Sequence, residues 1–162
     1  MARGLPAQRP AAARLERPDL GDTSVSATTL VSTPPPTGYE GSSLVKNLKI
    51  QVFKSTVYSP SATLVNQAVN AMTSLGKIDS TMILAFNYDA LPLVAAAAKY
   101  AHSTSAAALA AALVKPAVQA AAKTAILSRY NFTANNHSPQ PGGSEFTFIS
   151  PTLIVNGQYG HS

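Results

Sequence analysis

The residues of this chain capable of chemistry are two carboxylates ten positions apart, three histidines, a pair of Asn-X-Ser/Thr triplets and a spaced set of aromatics. Asp79 and Asp89 would form an acid/base pair only if they met in space. On one continuous helix, ten residues rise about 15 Å and stop about 80° short of three turns, too far along the axis for one site. Asp79 therefore reads as a helix cap and Asp89 as a solvent-facing or hinge-side carboxylate. His102, His137 and His161 are scattered and form no ligand cluster, and His137, within Asn135-Asn136-His137-Ser138-Pro139, reads as a turn residue. Asn131-Phe132-Thr133 and Asn136-His137-Ser138 match the N-glycosylation acceptor pattern, which has meaning only in a secreting eukaryote. Phe86, Tyr88 and Tyr100 could wall a ligand site, although aromatics at helical spacing read first as core. Gly142-Gly143 precedes a strand pattern and lacks a following Lys-Ser/Thr, so no phosphate loop is expected. Cysteine is absent, which excludes disulfides and thiolate metal sites. With no positioned nucleophile, base or metal set, the chain is expected to be no enzyme and to use no cofactor.

The elements available to position these residues are constrained by composition. A chain of 162 residues has room for one ordinary domain and a tail. Hydrophobic residues make up 46%, much of it alanine, and aromatics only 7%, so a thin, helix-rich core is expected. Residues 1–43 read as a low-complexity basic arm, with prolines at 6, 10, 18 and 34–36 and Arg3, Arg9, Arg14 and Arg17 in the first twenty positions. Such a segment buries too little apolar surface to offset its chain entropy, so it should be disordered or extended unless a neighbouring subunit holds it. Its charge, within a net +5, could touch nucleic acid, but without interleaved aromatics a solvated arm is the better reading. No secretory signal and no membrane span is expected: residues 82–98, the most apolar run, are interrupted by Asn87, Asp89 and Pro92.

Residues 44–57 alternate Leu48, Ile50 and Val52 against Lys49 and Gln51, which predicts a half-buried strand near a sheet edge. From Ser61 the spacing of Leu64, Val65, Ala68, Val69 and Met72 predicts a helix, with Gly76 as its stop. Residues 79–100 predict either one helix kinked near Tyr88 by Pro92, or a strand to Phe86 followed by a helix starting at Leu91-Pro92. Ser103 or Ser105 should cap a short alanine helix at 106–113. Pro116 opens another helical stretch, whose Val118, Ala121, Ala122, Ala125 and Ile126 share one side while Gln119, Lys123 and Arg129 point away. Residues 131–144 must be a loop, and residues 145–149 and 152–155 offer two strands, with Asn156-Gly157 as a turn before Gln158-Tyr159.

This order of signals, over about a hundred residues, resembles the C-terminal part of a type 1 periplasmic solute-binding protein of the branched-chain amino acid transporter kind. The likeness is carried by Ser59-Pro60-Ser61 and the helix after it, and by Phe86-Asn87-Tyr88-Asp89-Ala90, which is similar to the family's Tyr-Asp-Ala step. Ala101-His102-Ser103-Thr104 stands where the family has an Ala-Gly-Ser-like turn, and Tyr130-Asn131-Phe132-Thr133 with Asn136-His137 resembles the segment ending in an Asn-His pair. The resemblance implies an α/β fold: a single partial periplasmic-binding-protein-like lobe at 44–162, helix-rich with a few strands, behind the Pro-rich arm. It also implies capture of a small polar ligand or amino acid between this lobe and a second one. Asn87 and Tyr88, near the hinge side, carry over as ligand-binding residues.

Two functions are thus expected in competition. One is a non-enzymatic solute-binding module, periplasmic or extracellular. The other is a structural protein of a virion or other large particle, virion-borne or cytoplasmic, that packs through the lobe and laces into homo-oligomeric neighbours through residues 1–43.

Overall fold

The computed structural model describes residues 18–160, without the side chains of Ala27, Met82, Ile83 and Phe86. The chain is mixed α/β. Its centre is a three-stranded sheet in the order β1 (Asp19–Gly21), β2 (Leu48–Phe53), β3 (Phe146–Ile149). β1 runs parallel to β2, and β3 antiparallel to it. The predicted alternation is present, since Ile50 and Val52 are buried and Leu48, Lys49, Gln51 and Phe53 are half-buried. The edge position is not: β2 is the middle strand. Lys49 adapts by running its side chain out to donate to the Ser150 hydroxyl at 2.7 Å, which keeps its ammonium hydrated while its stem covers the sheet.

The expectation for the N-terminal arm requires the larger correction. Residues 1–17 lie outside the described residues, but residues 18–43 are built into the domain. A parallel strand pair needs a crossover of a dozen or more residues, and the segment between β1 and β2 is that crossover. It holds a short helix, α1 (Thr23–Ala27), whose first N–H groups at Ser24 and Val25 are capped by the Asp22 carboxylate at 3.0 and 3.2 Å. Beyond α1 the chain closes on itself through Tyr39 N–H to Leu30 O (2.8 Å) and Glu40 N–H to Thr33 O (3.0 Å). Val31 and Val45 from this segment join Ile50, Val52 and Tyr159 in one apolar cluster. Composition concealed this, because a crossover tied down by backbone bonds and two buried valines needs few apolar residues of its own.

The helices follow. α2 (Thr63–Thr73) buries Val65, Ala68 and Val69, though Leu64, expected on that face, is largely exposed. α3 (Thr81–Asn87) and α4 (Ala90–Ala101) are separated at Tyr88-Asp89, so each alternative holds in part: the residues to Phe86 are helical and form no strand, but the chain breaks instead of kinking, and a new helix starts just before Leu91-Pro92. Pro92 sits in the first turn of α4, where its missing N–H has no intrahelical acceptor to lose. α5 (Ala106–Leu113) spans the residues expected, capped by the Ser105 hydroxyl. α4 packs on α5 and on α6 (Pro116–Ala121) through Ala97, Ala112 and Val118, whose small side chains allow close approach. α6 ends at Ala121, short of the predicted stretch through Ile126, for a reason given below.

The strands expected at 145–149 and 152–155 do not pair with each other. β3 joins the main sheet, where Phe53 and Phe146 face across the ladder with ring centroids 4.8 Å apart. β4 (Ile154–Val155) instead pairs with β5 (Gln158–Tyr159) through Asn156-Gly157, both at positive φ (51° and 75°), the two-residue turn that this dipeptide favours.

Gly38 tests whether residues 18–43 belong to the fold. A Cβ there would lie 2.2 Å from Thr33 O and 2.7 Å from Leu30 O, both backbone atoms that cannot swing aside. Gly38→Ala should therefore lower stability by about 1–3 kcal/mol in chemical denaturation. A tail segment would tolerate the change without effect.

Candidate functional site

The break between α3 and α4 leaves Asp89 at a joint, with its carboxylate turned inward and only 2% exposed. The carboxylate accepts from three consecutive backbone N–H groups: Ala125 to Oδ1 at 2.6 Å, and Ile126 and Leu127 to Oδ2 at 2.9 and 3.1 Å. The Tyr130 hydroxyl donates to Oδ2 as well, at 2.7 Å. This corrects the expectation of a solvent-facing carboxylate. Four donors around one anion supply what burial away from water removes.

The same contacts explain why α6 stops early. Helix continuation would turn the N–H groups of residues 125–127 along the helix axis toward carbonyls four residues back, whereas Asp89 gathers all three onto one side chain. The chain leaves the helix at Ala122 (ψ 123°), and the Thr124 hydroxyl donates to Leu127 O at 2.7 Å to close the resulting turn. Ile126 and Leu127 then enter the core with Val65, Val69 and Leu84. Asp79, by contrast, forms an exposed ion pair with Lys77 at 2.7 Å. The two carboxylates are not brought together.

Past Tyr130 the chain is fixed a second time. Gln119, predicted to point away from α6, turns inward, donating from Nε2 to Leu113 O (2.8 Å) and Phe132 O (2.9 Å) and accepting from Phe132 N–H at 3.0 Å. The Tyr130 and Phe132 rings lie 5.4 Å apart. Between these anchors Pro116, Gln119, Ala120, Ser128, Arg129, Asn131, Phe132 and Thr133 line an open cleft of about 540 Å³. A smaller cleft of about 280 Å³ is lined by Tyr58, Asn66, Val69, Asn70, Asn156 and Gln158.

Neither cleft is lined by the residues carried over from the resemblance. Asn87 is exposed at the C-terminal end of α3, and Tyr88 is half-buried against the core of Val65, Leu84 and Ile126. Of the suggested aromatic wall, Tyr100 stands exposed with the Lys115 ammonium 5.8 Å from its ring centroid. His102 and His137 are exposed, and among the described residues no three His, Cys, Asp or Glu side chains could share a metal ion. Asn131 and Asn136, the glycosylation-pattern residues, donate from their side-chain amides to Gln140 O and Ser138 O at 3.4 and 3.0 Å. Among the described residues no helix is long and apolar enough to cross a membrane.

Sequence reasoning missed Tyr130, Gln119 and a second buried polar centre, where the Tyr159 hydroxyl donates to Ser26 O and meets the Thr81 hydroxyl at 3.1 Å. One signal was present for the buried centre at Asp89. A lone carboxylate in the most apolar run of a chain must be either exposed or fully bonded, and burial of its neighbours favours the second. No protein-family model, curated protein or solved structure matches this chain.

Two outcomes follow from the Asp89 centre. Asp89→Ala strands four donors in the interior and should cost at least about 3 kcal/mol, with Asp89→Asn intermediate because one acceptor oxygen survives. Stability should also fall at high pH. Burial first, then the hydrogen bond to Asp89 and its charge, hold the Tyr130 hydroxyl well above the ordinary phenol value of 10.0. Burial raises Tyr159 too, against the opposing effect of its bonds to Thr81 and Ser26. A group whose pKa is raised by folding contributes stability that is complete below its unfolded value and is lost as pH rises beyond it, so unfolding should become easier from about pH 10 upward. Tyr130→Phe should flatten that decline, measured as the denaturation midpoint against pH.

Proposed function

We propose that this chain is a non-enzymatic, solute-binding-protein-like module whose lobe takes a small polar ligand or an amino acid together with a second lobe. The observation that carries the reading is the backbone at His102. The resemblance assigns an Ala-Gly-Ser-like turn to residues 101–104, and His102 there adopts φ 47°, ψ 34°, the left-handed helix C-cap conformation that glycine usually fills. A position expected to be glycine by family pattern thus has the backbone that makes glycine the favoured residue, although the side chain here is histidine.

The Asn87-Tyr88-Asp89-Ala90 step supports the same reading. It forms the joint between α3 and α4, and Asp89 docks the segment that follows α6 onto that joint. Asn87 at an exposed helix end is placed to meet a ligand held against another lobe, with Tyr88 beside it fixing the backbone by its packing. Asp89 itself is committed to four donors and is not free to act as a base.

The intact protein, screened by thermal shift against the common amino acids, should be stabilised by at least one. A ligand selective for the folded state raises stability by about 2.7 kcal/mol at a concentration 100 times its Kd. Replacing Asn87 by Ala should remove that shift. A flat response across the panel would sink the proposal.

A further inference from the structure

We infer that the cleft between α6 and residues 128–133 is a binding site for a small monocarboxylate with an apolar body, held by Arg129. This does not rest on the solute-binding reading above. It stands on how the polar groups of the cleft are spent.

Most of those groups already have partners inside the protein. The Gln119 amide is used at both ends, on Leu113 and Phe132. The Ser128 hydroxyl donates to the Glu145 carboxylate, the Asn131 amide donates to Gln140 O at 3.4 Å, and Thr133 Oγ1 accepts from Asn135 and Asn136 N–H. Arg129 differs from all of these. It lines the cleft, and among the described residues its guanidinium has neither a carboxylate within ion-pair distance nor a hydrogen-bond acceptor.

The backbone that carries Arg129 is fixed on both sides. Leu127 N–H and the Tyr130 hydroxyl are bonded to Asp89, and Phe132 is held at both its N–H and its carbonyl by Gln119. Only the side chain remains to be ordered when a ligand arrives, which reduces the entropy lost on binding. Pro116, Ala120 and Phe132 supply apolar surface beside the charge. A volume of about 540 Å³ lies within the range of roughly 300–1,000 Å³ usual for small-molecule sites.

The guanidinium fork matches a carboxylate through two parallel N–H···O bonds, with the apolar body of the ligand set against Phe132 and Pro116. Glu145, just behind Ser128, contributes a negative charge at the rim, which disfavours dianions such as phosphate. A monoanion with one planar carboxylate and a hydrophobic body satisfies both constraints.

The test is calorimetric or NMR titration of the full-length protein with benzoate, with benzamide as a neutral ligand of the same shape, with acetate, and with inorganic phosphate. Benzoate should saturate one site, and each of the other three should bind roughly tenfold or more weakly. Arg129→Gln should bring benzoate down to the benzamide level, and Arg129→Lys should fall between, because the charge persists and the fork is lost. The exposed, unpartnered Arg129 side chain makes both variants expected to fold, and their melting curves serve as the check. Benzoate binding no better than benzamide, benzoate affinity unchanged in Arg129→Gln, tighter binding of phosphate, or no saturable binding at all would each overturn the inference.

Discussion

The carboxylate of Asp89 is the constraint on which the C-terminal half of this protein depends. An ionised group taken out of water is tolerated only when donors replace its hydration, and here three successive backbone amides and a phenol do so. The arrangement works in both directions. Residues 125–127 lie outside regular structure, so their buried N–H groups would lack acceptors without Asp89. Asp89 satisfies them, and they satisfy it. The helix break at Tyr88-Asp89 is what turns the carboxylate inward, so a local interruption of α3 and α4 and a chain reversal some 36 residues later are one structural event.

That dependence is sharpened by the thinness of the apolar core. The buried residues fall into separate clusters: valines, Ile50 and Tyr159 at the sheet, Val65 to Leu127 around α2 and α3, and three small residues where α4, α5 and α6 meet. An alanine contributes little burial, so the last cluster relies on close approach more than on area. Polar links span the gaps between clusters. Asp89 ties α4 to the middle cluster, Gln119 ties α6 to the loop beyond it, and the Tyr159 hydroxyl, on Ser26 and Thr81, ties the final strand to α1 and α3.

The legible parts of the sequence were those with local periodicity. β2, α2 and α5 followed from alternation, three-to-four spacing and a serine cap, and the Asn156-Gly157 turn from its dipeptide. Features set by long-range partners were not legible. α6 has the spacing to continue past Ala121, and only the competing carboxylate from Asp89 ends it. Residues 18–43 have the composition of a tail, yet pairing of Asp19–Gly21 with β2 makes them a crossover. The polar alternation of Lys49 and Gln51 suggested an edge strand, while the true position of β2 depends on β1 and β3 arriving from distant segments of the chain. Of the candidate site, Asn87 and Tyr88 were named from resemblance, but Arg129 and its cleft required knowing that Gln119 points inward.

The cleft is itself a product of the same constraint. Had α6 run on through Ile126 as its spacing suggests, residues 128–130 would have lain in or near its last turn, and α6 and that segment could not have formed opposing walls. By stopping the helix at Ala121 and drawing Leu127 and Tyr130 toward α4, Asp89 separates α6 from the segment after it and leaves Arg129 at the opening between them. The cleft therefore inherits its rigidity from a group that does not line it. Its shape is thus tied to the integrity of the α3–α4 joint as closely as to its own lining residues.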